Sequence, residues 1–359
     1  MRAKARCLSL VANGRAGMTF KVLRILSAMA SAVLAGCALG GSALDRPAAE
    51  SLNMAAYPPG AYRAVRGVQL LPLINPMRGS ASYDAHAAAP LLYVSNLGAK
   101  SVEVFHQGGR AQQPIATITN GVVFPVGLTT DSSGNLYVTD SGEYNGAWVV
   151  QRYAPGATSP GKTYTTDLSE PCNIAIAKDG TIYIANFNAG GAGWVAVYPK
   201  GNASKEYRLS DSSGGSPVSV ALDSKQDLYA MWGRGNQGSS VVYEYKPGAT
   251  TGKNLNLDFA YGAGIQVDSA GNLLAVQQVL PSEILVFPPG KTEPSKSIVL
   301  PNGGEPYAIV LNRGSKLLFA GDAIGNVVDL FTYPSGRFRY PIAGGFSNIG
   351  GIATQPNEF

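Results

Sequence analysis

Side chains able to do chemistry recur at one register of this chain. Three residues after each of six aromatic or apolar markers (Tyr93, Tyr137, Tyr183, Tyr229, Leu274 and Phe319) stand Asn96, Asp140, Asn186, Trp232, Gln277 and Asp322. All but Trp232 carry an amide or carboxylate, the oxygen set that Ca²⁺ takes from proteins. Asp140, Asn186 and Asp322 are therefore the candidate cation ligands, and no other cofactor is expected. The stretches just beyond add Glu143, Tyr144, Asn145, Asn188, Trp194, Arg234 and Asn236. Aromatic rings and amides on glycine-rich loops stack on and hydrogen-bond a glycan or a peptide. A competing expectation holds for the same Asp and Asn residues. At the end of a strand such a side chain commonly accepts hydrogen bonds from its own turn. Trp148 and Trp194, at strand beginnings, are expected to fill space between neighbouring units.

Motifs for catalysis are missing. The chain has no His-x-x-x-His, Cys-x-x-Cys, Gly-x-Ser-x-Gly or Walker loop. Its two histidines stand at His86, in a small-residue stretch, and His106, at a turn. Cys172 opens a short apolar strand with no histidine near it in sequence. It reads as a small buried apolar residue rather than a reactive thiol. A binding module is expected, not an enzyme.

The elements that must position these residues are repeats. The six markers are spaced by 44, 46, 46, 45 and 45 residues. A second series of aromatics, Phe105, Tyr153, Tyr198, Tyr245, Phe287 and Tyr333, closes the following strand in each unit. Similar turns follow several of them, as in Pro155-Gly-Ala-Thr158, Pro247-Gly-Ala-Thr250 and Pro289-Gly-Lys-Thr292. Two markers holding one period in the mid-forties, with several short strands per unit, predict an all-β propeller. Small-residue strands at 126–130, 173–176, 218–222, 264–267 and 307–310 should line its channel. A sixth such strand, 349–353, stands alone near the C-terminus, whereas the unit starting at Leu91 lacks one. The expectation is six blades over residues 90–359, closed by the C-terminal strand joining the first blade, which removes exposed sheet edges.

Pro125-Val-Gly-Leu-Thr-Thr-Asp131 and Gly134-Asn-Leu-Tyr-Val-Thr-Asp140, with Gly180-Thr-Ile-Tyr-Ile-Ala-Asn186 and Gly271-Asn-Leu-Leu-Ala-Val276 as weaker copies, resemble the repeats of NHL propellers. That resemblance implies a six-bladed ring and hardly constrains activity. Six-bladed lactonases share the architecture and hold a divalent ion with a Glu/Asn/Asn/Asp set. Glu170, Asn173 and Asp322 are the nearest counterparts here, without a contiguous motif.

The N-terminal region reads as a targeting segment. Lys21 and Arg24 precede the apolar run 25–33, too short to span a bilayer, and Leu34-Ala-Gly-Cys37 follows. This resembles the lipobox of bacterial lipoproteins. The resemblance implies cleavage after residue 36 and lipidation, including palmitate, of Cys37. Two or three acyl chains anchor durably where one does not. Ala rather than Asp at position 38 implies the outer membrane of the cell envelope. Met18 stands just before the positive region and is a second candidate start. Residues 37–89 read as the lipidated cysteine and a tether.

The net charge of +5 belongs to the leader. Its six basic residues and no acid leave 22 basic against 23 acidic side chains in the mature chain. No basic stripe remains for a nucleic acid. Three function classes follow: an envelope-anchored module that binds or scaffolds a protein or glycan partner, a metal-dependent lactonase-like hydrolase, and a purely structural envelope protein.

Overall fold

The computed structural model describes residues 90–108, 113–142, 148–188, 191–211, 214–233, 239–279 and 281–357. The leader, Cys37, the tether, Glu143, Tyr144, Asn145, Arg234 and Asn236 lie outside the described residues. Among the described residues twenty-four strands form six four-stranded antiparallel sheets. In chain order the first contributes β1 (Leu91–Asn96), β2 (Ser101–His106) and β3 (Ala116–Ile118). The second holds β4 (Pro125–Thr130), β5 (Leu136–Asp140), β6 (Val149–Tyr153) and β7 (Lys162–Tyr164). The third holds β8 (Pro171–Ile176), β9 (Ile182–Asn186), β10 (Trp194–Tyr198) and β11 (Tyr207–Leu209). The fourth holds β12 (Ser216–Leu222), β13 (Leu228–Gly233), β14 (Ser239–Tyr245) and β15 (Lys253–Ala260). The fifth holds β16 (Gly262–Val267), β17 (Leu273–Gln277), β18 (Glu283–Phe287) and β19 (Lys296–Val299). The sixth holds β20 (Pro306–Leu311), β21 (Leu317–Asp322), β22 (Val327–Thr332) and β23 (Arg337–Ile342). The last strand, β24 (Ile349–Gln355), pairs with β1 and completes the first sheet in the order β24-β1-β2-β3. The fold is a six-bladed β-propeller closed as the repeat spacing predicts.

A turn built on one acid joins the first two strands of most blades. Asp131 Oδ1 accepts from the N–H groups of Ser133 and Asn135 at 2.9 Å each, and Asp268 repeats the arrangement with Ala270 and Asn272. Gly134 and Gly271 take left-handed φ values of 79° and 83°, which glycine enters without a Cβ penalty. The Asp-x-x-Gly-Asn signature is thus a self-capped hairpin turn. Aromatics lock it from the next blade, as Tyr333 donates to Asp268 Oδ2 at 2.7 Å.

Apolar burial is divided among the seams between blades. Because alternate strand residues face opposite sides of a sheet, each blade supplies one apolar face forward and one backward. Tyr93, Val104 and Ile118 of the first blade meet Leu128, Val138 and Tyr153 of the second. Leu274, Ile284 and Ile298 of the fifth meet Leu318, Ala320 and Phe331 of the sixth. The ring shuts where Leu92, Val94 and Phe105 meet Phe319, Leu330, Ile349 and Ile352.

Every innermost pairing is interrupted by a register shift near its start, as between Pro125 and Leu128, Pro171 and Asn173, and Pro306 and Ala308. The bulge bends the strand into the channel wall. It also explains why β4, β8, β12, β16 and β20 begin one or two residues before the small-residue runs that mark them in the sequence. Glycines let the inner strands converge: a Cβ at Gly351 would stand 2.4 Å from Val126 O, and one at Gly127 2.8 Å from Asn173 Cα.

Candidate functional site

The hairpin turns on Asp131 and its counterparts occupy one face of the ring. The opposite face carries the loops after β5, β9, β17 and β21 and the crossings from each outer strand to the next inner strand. The recurring polar residues end their strands on this second face, where Asn96, Asp140, Asn186 and Asp322 are all buried.

Their polar atoms are directed at the backbone. Asp140 Oδ2 accepts from Val123 N at 2.6 Å, and its Oδ1 from Phe124 N at 3.0 Å and Gly142 N at 2.9 Å. Asp322 Oδ1 accepts from Glu305 N, Ile324 N and Gly325 N at 3.0, 3.1 and 3.0 Å. The glycines beside it are required, since a Cβ at Gly304 or Gly325 would overlap the carboxylate. Asn186 Oδ1 accepts from Ser169 N at 3.0 Å and Asn96 Oδ1 from Ser347 N at 2.9 Å. Each side chain clasps the crossing segment that leads into its own blade's inner strand. Asp140 holds two N–H groups of the crossing and one of its own turn, Asp322 one and two, and each Asn holds one of the crossing.

A stability prediction follows. Asp140→Ala orphans three donors, so it is expected to cost roughly 2–4 kcal/mol, with Asp140→Asn costing about half as much. Thermal melts with added Ca²⁺ and with EDTA should show the same loss. A Ca²⁺-dependent gain in the wild type that vanishes in Asp140→Ala would assign the residue to a cation instead.

The remaining predicted positions are dispersed. Trp232 is fully buried in the seam between the third and fourth blades, beside Val195, Leu209 and Val241. It sits there because β13 and β14 stay paired past it, Trp232 opposite Val241. Gln277 is half-buried and donates to Glu283 Oε1 at 3.5 Å. Trp148 and Trp194 are partly buried against the seam between the second and third blades. The Arg208 guanidinium lies 3.9 Å over the Trp194 ring and is paired to Asp167. Cys172 Sγ rests against the carbonyls of Ala185 and Pro217, each at 3.5 Å.

Glu170 and Asn173 belong to the third blade and its entry, Asp322 to the sixth, half-way around the ring. Asn173 Oδ1 accepts from Val220 N at 3.0 Å. Among the described residues no three His, Cys, Asp or Glu side chains gather as a cation site.

The channel is narrow. Its cavity measures about 80 Å³ and is edged by Thr129, Asn173, Ser219, Gln266 and Asn357 among apolar residues, with no ionisable side chain. Drug-sized ligands occupy several hundred Å³, so this volume suits a few waters.

No protein-family model matches the chain, and no curated protein matches its sequence. Solved structures do share its fold. A chain of a nidogen/laminin complex is similar at 18% identity with a TM-score of 0.58, covering 74% of this chain and 98% of its own. A candidate 6-phosphogluconolactonase of Bacteroides fragilis is similar at 12% identity with a TM-score of 0.53, covering 75% and 98%. At such identities the likeness is one of architecture.

Proposed function

We propose that this chain is an envelope-anchored binding module. Lipid on Cys37 holds it to the membrane, residues 38–89 act as the tether, and the propeller recognises a protein or glycan through loops on the face of the clasps. The observation that carries the reading is the construction of that face. Its crossings are pinned by buried Asp and Asn clasps, so its loops present a preorganised surface at low entropic cost. The fold it shares with a chain of a nidogen/laminin complex supports a role in protein recognition. The apolar run ending at Leu34-Ala-Gly-Cys37 supports the anchor. A lactonase activity is the second reading, supported only by the fold shared with the Bacteroides fragilis protein.

The test uses the full chain in the cells that make it. An alkyne-tagged fatty acid should label the wild type and not Cys37→Ser, which should leave the membrane fraction. Cross-linking in intact envelopes should trap one reproducible partner with both forms. An unlabelled wild type removes the anchor. Lactone hydrolysis by the purified protein that is lost in Glu170→Gln replaces the binding role with the second reading.

A further inference from the structure

We propose that the clasp face of the fifth and sixth blades docks a protein segment carrying apolar side chains together with Lys or Arg. This rests on the binding role above and adds the place and the chemistry of the partner.

Exposed large apolar residues concentrate in that sector. Among the described residues Tyr261 is 40% exposed, Val279 37%, Val299 55% and Ile324 44%, whereas Ile115 and Val123 stand on other blades and Phe338 near the start of β23, away from the clasp face. Hydrogen bonds stitch the sector together. Gln278 N donates to Tyr261 O at 3.0 Å, Gln278 Nε2 to Pro306 O at 3.0 Å, and Ala323 N to Glu305 O at 3.1 Å. Val279 and Tyr261 on the fifth blade are therefore joined to Glu305 and Ile324 on the sixth. Tyr261 is a bulky aromatic held at φ 56°. Strain of that kind persists where the surroundings fix a side chain in place, and it concentrates at ligand-contacting sites.

The charge in this sector has one sign. Glu305 lies within it, the buried Asp322 carboxylate beneath it and Glu283 at its edge, and neither Glu305 nor Asp322 enters an ion pair among the described residues. No Lys or Arg occurs at 254–290, 297–312 or 317–336, the stretches that build the sector. Burial, then the neighbouring Asp322 charge, pushes the half-buried Glu305 carboxyl above its usual range. A cation delivered by a partner would relieve that crowding through charge-assisted hydrogen bonds. Anionic lipid headgroups would be repelled, so the surface fits a protein segment rather than a membrane. Arginine with apolar and aromatic anchors is also the composition favoured at the centres of protein interfaces.

The experiment pans a random peptide library against the full chain and measures the enriched peptides, made synthetically, by fluorescence anisotropy. Enriched sequences should join apolar residues to Arg or Lys. The double variant Val279→Ser/Ile324→Ser should weaken them about tenfold or more, and Val123→Ser should leave them unchanged. Glu305→Gln should weaken Arg-bearing peptides several-fold but not their Arg→Gln versions. Glu305→Lys, a charge reversal at this half-buried position, should abolish the preference for basic peptides and serves if the double variant folds poorly. Peptides enriched without basic residues, or binding indifferent to these variants, overturn the proposal. So does equal binding to phosphatidylglycerol vesicles. An envelope partner whose capture ignores Val279→Ser/Ile324→Ser leaves the binding role standing and sinks this surface.

Discussion

Deleting residues 346–359 is expected to abolish the cooperative unfolding transition rather than lower it by a few degrees. The deletion removes β24, and with it the pairing of Leu91 with Gln355 through Val94 with Ile352. Phe346, Ile349 and Ile352 leave the seam that shuts the ring. Burying three such side chains is worth roughly 5–9 kcal/mol, comparable to the whole stability of an ordinary domain. Side-chain hydrogen bonds go too, two of them between blades and one within the first. Thr354 Oγ1 donates to Leu311 O at 2.9 Å, Thr130 Oγ1 to Thr354 O at 2.8 Å, and Tyr93 to Gln355 Oε1 at 2.6 Å. What remains is β1, whose six residues are all buried in the closed ring, as a bare edge open to pairing with another molecule. Circular dichroism melts and size-exclusion chromatography should show a broad transition and aggregation. A truncated protein that melts like the full chain would refute the closure.

Asp329→Asn is expected to stabilise the protein at neutral pH. Asp329 lies on β22 opposite Ala320 and Pro341, is 3% exposed, and its Oδ2 has no hydrogen-bond partner among the described residues. Burial, and secondarily the Asp322 charge, push its carboxyl up to about 8. The unfolded chain releases this proton near the ordinary carboxyl value of 3.8, while the folded chain keeps it to about 8. Folding therefore takes up a proton between those values. Stability is full below about pH 4, falls as pH rises through 8, and changes no further above. At pH 7 the cost is on the order of 2–4 kcal/mol, worth roughly 4–10 °C in Tm. Asp329→Asn should gain that much at pH 7 and nothing at pH 3.5. Melts across this range decide it, and a gain of equal size at both ends would trace the effect to packing rather than ionisation.

The ring itself was legible in the sequence because two aromatic series kept one period and the lone strand 349–353 matched the one that the first unit lacked. The outermost strands were not. The residues of β7, Lys162–Tyr164, run exposed, exposed, buried, and so short a polar segment has no periodicity to read. The clasps were half legible. A local turn rule anticipates Gly142 N bonding Asp140, but Val123 and Phe124 lie 17 and 16 residues before it and meet it only once the sheet has formed. Trp232 read only as the exception at the polar register, with nothing in the sequence to mark it as buried. Its pairing with Val241 carries the strand past the point where neighbouring blades stop. The acidic sector of the last two blades was not read from the sequence, where it is scattered over separate runs free of Lys and Arg. Only the fold makes one surface of them.

The way the first blade is assembled also dictates an order of events. Tyr93 waits for a partner 262 positions downstream, so the earliest strands to be made are the last to be satisfied. Until that far segment arrives, an apolar hairpin remains available to any passing chain. Contacts of such long reach slow folding and prolong exposure to misassembly. The first blade can close only once synthesis has run through the final inner strand.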